Sequence, residues 1–160
     1  MLYAAFTSGV KNPLWWRPGR WVSFGGRDQT ASTQLLLMHP DVSARRLFAD
    51  DAYWSTWSPD SKWIAYVAGE ITDPEPGRLI VTRPDGSGRR VIAEGVSADS
   101  RPAWSPDGRV IAFASYGTIF GIRPDGTGQR VLVESDRFLA SDPAWRSAKP
   151  LPRHRFGACA

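Results

Sequence analysis

The chain has 160 residues, 42% hydrophobic and 12% aromatic, which is enough for one packed domain or part of one. Eight Trp, 15 Gly and 13 Pro among short apolar runs describe strands joined by tight turns, because Gly and Pro interrupt helices. The lone Cys159 excludes a disulfide framework and a cysteine-based metal site, and the net charge of +4 is small.

Residues 1–10 lack the basic start and longer apolar core of a secretory signal. No run of about 18 apolar residues could span a bilayer, so no membrane span is expected. The chain therefore reads as cytoplasmic or as a piece whose targeting segment is missing. Residues 2–7 (Leu-Tyr-Ala-Ala-Phe-Thr) form a short apolar stretch that suits a strand, within a lead-in of residues 1–11.

From residue 12 onward one pattern recurs. Its first copy, Asn12-Pro-Leu-Trp-Trp-Arg-Pro-Gly-Arg-Trp-Val-Ser-Phe24, has a drifted turn. Trp54-Ser-Thr-Trp-Ser-Pro-Asp-Ser-Lys-Trp-Ile-Ala-Tyr66 and Arg101-Pro-Ala-Trp-Ser-Pro-Asp-Gly-Arg-Val-Ile-Ala-Phe113 keep it nearly intact, and Asp142-Pro-Ala-Trp145 begins a fourth. The matching tryptophans, Trp15, Trp57, Trp104 and Trp145, are 42, 47 and 41 residues apart. Between them a second motif keeps the same rhythm: His39-Pro-Asp-Val-Ser-Ala-Arg-Arg46, Arg83-Pro-Asp-Gly-Ser-Gly-Arg-Arg90 and Arg123-Pro-Asp-Gly-Thr-Gly-Gln-Arg130.

A period of this size marks an array of supersecondary units. Each unit reads as four short strands, A to D; in the third copy they fall at about Ser100–Trp104, Arg109–Ser115, Thr118–Arg123 and Gln129–Val133. Ser-Pro-Asp-Gly and Pro-Asp-Gly-Thr-Gly are turns: Pro presets φ, Asp bonds its own backbone and Gly accepts positive φ. They join A to B and C to D.

The Pro-x-Trp-Ser-Pro-Asp-Gly-x-x-Ile-Ala-Phe pattern followed by an Asp-Gly hairpin resembles the PD40 (WD40-like) repeat of TolB-like β-propellers. The resemblance covers about residues 12–146. It implies an all-β fold: a partial β-propeller of three four-stranded blades plus strands of a fourth. The blades are expected at about 12–53, 54–100 and 101–141, the start of a fourth at 142–146, and a disordered basic tail at 147–160. The resemblance implies a ring that usually has six or more blades. The chain is accordingly expected to be a fragment, a truncated product or a unit that self-associates to close the ring, with residues 2–7 as a candidate closing strand.

Strand direction alternates within a blade, so A–B and C–D tips share one face while B–C and D–A loops share the other. The loop face gathers acids, among them Asp50, Asp51, Asp73 and Glu75, against Arg27 and Arg137 as its only bases. The tip face gathers arginines and Lys62. Asp85, Asp107 and Asp125 lie in Pro-Asp-Gly turns, where a structural role is expected. The insertion Ile71-Thr-Asp-Pro-Glu-Pro-Gly77 stands out, because binding resides in variable loops on a regular scaffold. Trp54, Arg101 and Asp142 sit three residues before the repeat Trp, at the inner end of strand A.

The candidate partner-binding residues are therefore Trp54, Arg101, Asp142, Asp50, Asp51, Asp73 and Glu75. The resemblance implies a non-catalytic scaffold that binds a protein partner through the loop face. The alternative is a fragment of the gating propeller of a prolyl-oligopeptidase-like serine peptidase whose catalytic domain lies elsewhere. No Gly-x-Ser-x-Gly elbow occurs, and His39 and His154 fall at a hairpin tip and in the tail, so no catalytic residue is assigned. No cofactor or metal is expected, since Gly86-Ser-Gly88 is a hairpin tip and the acids lack a calcium-loop spacing. The recurring Arg45/Arg46, Arg89/Arg90 and Arg130 raise nucleic-acid binding, but with no exposed aromatics expected among them the sequence argues against it. The resemblance implies a periplasmic or secreted setting if the chain is part of a TolB-like protein.

Overall fold

In a computed structural model, residues 11–15, 21–27, 33–39, 41, 44–69, 77–97, 100–134 and 139–145 are described. They form three four-stranded antiparallel sheets with sequential strand order. The first holds β1 (Lys11–Trp15), β2 (Val22–Arg27), β3 (Thr33–Met38) and β4 (Arg45–Asp50). The second holds β5 (Ala52–Trp57), β6 (Ile64–Ala68), β7 (Gly77–Thr82) and β8 (Arg90–Val96). The third holds β9 (Ala103–Trp104), β10 (Ile111–Ser115), β11 (Thr118–Ile122) and β12 (Arg130–Val133). The chain is all-β, and these sheets are three blades of a propeller.

Burial explains why the inner strands look uniformly apolar. Every residue of β6, Ile-Ala-Tyr-Val-Ala, is buried because its sheet is sandwiched between two others. Alternation then decides which neighbour each side chain meets. Ile64, Tyr66, Ala68 and Ile80 pack with Leu35 and Leu37 of the first blade. Ala65, Val67, Leu79 and Val81 pack with Trp104, Ile111, Phe113 and Ile122 of the third. The outer strand β12 carries far less burial.

The tips close as their residues dictate. Ser58 Oγ donates to Asp60 Oδ1 at 2.7 Å and accepts the Trp63 N–H at 2.9 Å; Ser105, Asp107 and Val110 repeat this at 2.6 and 2.9 Å. Asp85 and Asp125 accept the backbone N–H groups of Ser87 and Thr127 at 2.8 and 2.9 Å. All four carboxyls are held below the ordinary Asp value, chiefly by the neighbouring Ser or Thr hydroxyl.

Trp57, Trp104 and Trp145 each reach back to the preceding blade. Trp57 Nε1 donates to Ser23 Oγ at 3.0 Å, and Trp145 Nε1 to the Ala103 carbonyl at 2.9 Å. Trp104 is buried against the second blade, but its Nε1 has no acceptor among the described residues.

Two strands differ from expectation. The third blade's A strand contracts from Ser100–Trp104 to Ala103–Trp104, since Pro102 has no N–H to donate. The fourth copy, Asp142–Trp145, forms no strand, and no B strand lies beside it among the described residues. Residues 2–7 and the tail 147–160 lie outside the described residues.

Candidate functional site

The first strands of successive sheets approach one another, β1 near β5 and β5 near β9, which puts the A strands on the inside. At their leading ends the three equivalent residues meet. The β5–β6 ladder pairs Tyr53 with Val67 and Ser55 with Tyr66, leaving Trp54 as a bulge at φ 29°. Such a bulge bends the strand and re-aims one side chain. The Arg101 guanidinium carbon lies 4.2 Å from the centre of the Trp54 ring. Its Nε is 3.6 Å from Asp142 Oδ1, and Asp142 sits at φ 49°.

The second blade, the third blade and the fourth copy thus contribute an aromatic, a cation and an anion in one contiguous row. The Arg101 and Asp142 side chains remain 49% and 53% exposed, so screening keeps their ion pair weak, at about 0–1 kcal/mol. The cation–π contact at a partly exposed site contributes about 0.5–1 kcal/mol. A row held this lightly leaves the guanidinium and the carboxylate accessible.

Asp50 and Asp51 stand exposed at the junction of β4 and β5. Asp50 Oδ1 accepts from Gln34 Nε2 at 3.2 Å. Asp51 lies at φ 48°, and its carbonyl accepts the Gly69 N–H at 2.9 Å. Asp73 and Glu75 lie outside the described residues.

The loop face also carries residues that sequence reasoning missed. Tyr116, in the tight turn between β10 and β11, is 79% exposed at φ 47°, and its N–H donates to Ser97 Oγ at 3.2 Å. Leu139, 86% exposed, rests on Gly117 beside it, and the Ala140 N–H bonds the Gly117 carbonyl at 2.8 Å. The available signal was an aromatic in the two-residue turn Tyr116-Gly117. Arg78, exposed at the start of β7, and Arg101 add two bases to a face expected to hold only Arg27 and Arg137. The first strand residue after the Ala68–Gly77 loop remains at that end of the blade.

On the tip face, half-buried aromatics lie beneath the arginines. Arg83 and Arg90 both lie over Trp63, at 4.9 and 4.8 Å, and Arg46 lies over Trp21 at 5.2 Å. Trp63 and Trp21 are half-buried, so these arginines cover the aromatic rings. Among the described residues no group of three or more His, Cys, Asp or Glu is arranged to hold a metal ion, and no helix is long and apolar enough to cross a membrane.

No family model matches the chain. Solved structures show the fold. The protein assigned as TolB in Agrobacterium tumefaciens superposes with TM-score 0.60 at 24% identity, over 74% of this chain and 44% of that one. The β-propeller domain of the Trilobed protease from Pyrococcus furiosus, which has an open velcro topology, gives 0.59 at 15% identity over 78% and 43%. An acylaminoacyl peptidase gives 0.57 at 13% identity over 76% and 25%. The fold is a TolB-like β-propeller, and this chain spans less than half the length of each of these three.

Proposed function

We propose that the chain is a non-catalytic propeller scaffold that binds a protein partner through its B–C/D–A loop face, with Trp54, Arg101 and Asp142 at the centre of the contact. The observation that carries this reading is the Trp54–Arg101–Asp142 row. Trp, Tyr and Arg dominate the energetics of protein interfaces, and the loop face offers Trp54, Tyr116 and Arg101 on one side of a rigid scaffold. Asp50, Asp51, Asp73 and Glu75 would set the charge of its rim and so the approach of a partner. Left-handed backbone at Asp51, Trp54, Tyr116 and Asp142 adds support, because strain of this kind collects at recognition sites.

A peptide library displayed on phage and selected against the immobilised chain tests the reading. Selected peptides should bind Trp54→Ala and Arg101→Ala variants at least about tenfold more weakly, and bind a Lys62→Glu/Arg109→Glu tip-face variant as they bind the parent. Loss confined to the tip-face variant would refute it.

The second reading, part of the gating propeller of a serine peptidase, is favoured by one observation: the chain matches a quarter of an acylaminoacyl peptidase. An α/β-hydrolase segment in the same open reading frame would establish it in place of the scaffold.

A further inference from the structure

The arginines of the tip face have a use that recognition at the loop face does not absorb. They gather most closely at the C–D tip of the second blade. Arg83, Arg89 and Arg90 flank that tip in sequence, and Arg46 reaches it from the first blade by donating from Nη2 to the Pro84 carbonyl. Each guanidinium is fixed by what lies under or beside it. Arg83 and Arg90 stand over Trp63 at 4.9 and 4.8 Å, and Arg46 over Trp21 at 5.2 Å. Arg89 Nε donates to the hydroxyl of buried Tyr66 at 3.2 Å, and Arg90 Nε to the Pro124 carbonyl of the third tip at 3.0 Å. Among the described residues none of the four forms an ion pair. The acid of the tip itself, Asp85, accepts the Ser87 N–H at 2.8 Å.

A guanidinium held by an aromatic face or a neutral acceptor, with its other N–H groups facing no carboxylate, is pre-organised for an oxyanion, because the ordering that Arg ordinarily undergoes on binding is already done. We propose that the second C–D tip binds an acidic peptide segment, with Arg46, Arg83, Arg89 and Arg90 pairing with its carboxylates. A planar carboxylate matches the guanidinium fork through two parallel hydrogen bonds. The charge pattern of the face selects a peptide over a uniform polyanion. Asp60, Asp85, Asp107 and Asp125 stand among the bases, and their turn hydroxyls hold all four below the ordinary Asp value, so they stay ionised. A phosphate backbone or an anionic bilayer laid across the tips meets these like charges, whereas spaced Glu side chains fall between them. Nucleic-acid bases also find no stacking surface, since half-buried Trp21 and Trp63 lie beneath the arginines.

Fluorescence anisotropy on the 160-residue chain tests this with a labelled peptide of alternating Glu and Ser, about twelve residues long, and its Gln–Ser counterpart. At about 20 mM salt the Glu peptide should bind with Kd below about 100 µM and at least about tenfold more tightly than the Gln peptide; at about 150 mM salt it should weaken at least about fivefold. Arg83→Gln with Arg89→Gln should weaken binding at least about tenfold, since charged hydrogen bonds are lost. Lys62→Gln with Arg109→Gln removes the same charge from the A–B tips of that face and should change it less than about twofold. Arg83→Lys with Arg89→Lys keeps the charge, should the glutamines unsettle the tip, but loses the fork, and should weaken binding about threefold or more. Equal affinity for the Gln peptide, equal weakening by the A–B tip variant, or a Lys variant that binds like the parent would overturn the proposal. So would tighter binding of an oligothymidylate of equal charge, or of phosphatidylglycerol vesicles, which would assign the tip to a nucleic acid or a membrane instead.

Discussion

Replacing Ala65 by Ser gives Trp104 Nε1 the acceptor that its counterpart one blade earlier already has. In the aligned repeat Trp21-Val-Ser-Phe24 corresponds to Trp63-Ile-Ala-Tyr66, so Ser23, which accepts from Trp57 Nε1 at 3.0 Å, becomes Ala65. Ala65 is fully buried in the cluster that contains Trp104, whose Nε1 has no acceptor among the described residues. A buried unsatisfied donor costs about 1–3 kcal/mol and a made bond returns about 0.5–1.5 kcal/mol net. Against this, the introduced hydroxyl must fit a filled core, which costs about 1 kcal/mol when packing is tight. It also lacks the second partner that Ser55 gives Ser23 at 3.0 Å, because Pro102 stands in the place of Ser55. The balance is a gain of about 1 kcal/mol, or roughly 2–4 °C in melting temperature for a chain of this size. Urea unfolding of Ala65→Ser, Trp104→Phe and the double variant measures it. The serine should stabilise only where Trp104 is present, with a coupling of about 2 kcal/mol. Equal destabilisation in both backgrounds, with coupling within about 0.3 kcal/mol, would refute the missing-acceptor reasoning.

The turns supply two more expectations. Ser61 holds φ 63° at the place where the third blade has Gly108 at φ 70°, so Ser61→Gly should stabilise by about 0.5–1 kcal/mol and Gly108→Ser should cost at least as much, both read from urea midpoints. The native carboxyls of Asp60 and Asp107 lie below the ordinary 3.8, so their contribution is whole above about pH 5 and is lost as pH falls through the lowered native values. Melting temperature should therefore fall between about pH 4 and pH 2, and Asp60→Asn with Asp107→Asn should flatten that fall; an unchanged slope would show that these turns do not sense the protons.

Much of the fold was legible because the repeat is its own alignment. Trp57 and Trp104 had to sit between blades, and Ser58-Pro-Asp60 and Ser105-Pro-Asp107 had to turn, since each requirement is local or has period two. Other features were hidden for definite reasons. Arg46 and Arg90 donate across neighbouring blades to the carbonyls of Pro84 and Pro124, and a backbone acceptor leaves no residue signature. The stacking of Arg83 and Arg90 on Trp63 depends on two tips folding toward each other. The bulge at Trp54 arises from ladder register, which composition does not report. At the site, the equivalence of Trp54, Arg101 and Asp142 was legible, whereas their mutual contact required the spacing of neighbouring blades.

That spacing also explains why these three positions are free to differ. A residue whose side chain fills the space between sheets must satisfy two blades at once, and the copies agree there: Ile64 with Ile111, Tyr66 with Phe113, Trp57 with Trp104. Three residues before the Trp the side chain instead meets the equivalent residue of the next copy, Trp54 meeting Arg101 and Arg101 meeting Asp142. Identical residues there would stack like charges or leave like groups facing one another; Trp, Arg and Asp in that order instead attract at each step. The order matters as well as the composition. Exchanging Arg101 and Asp142 would place a carboxylate over the electron-rich face of Trp54, turning the first contact repulsive while preserving net charge. The order Trp54, Arg101, Asp142 therefore gives an attractive contact at each step, whereas the exchanged order would not.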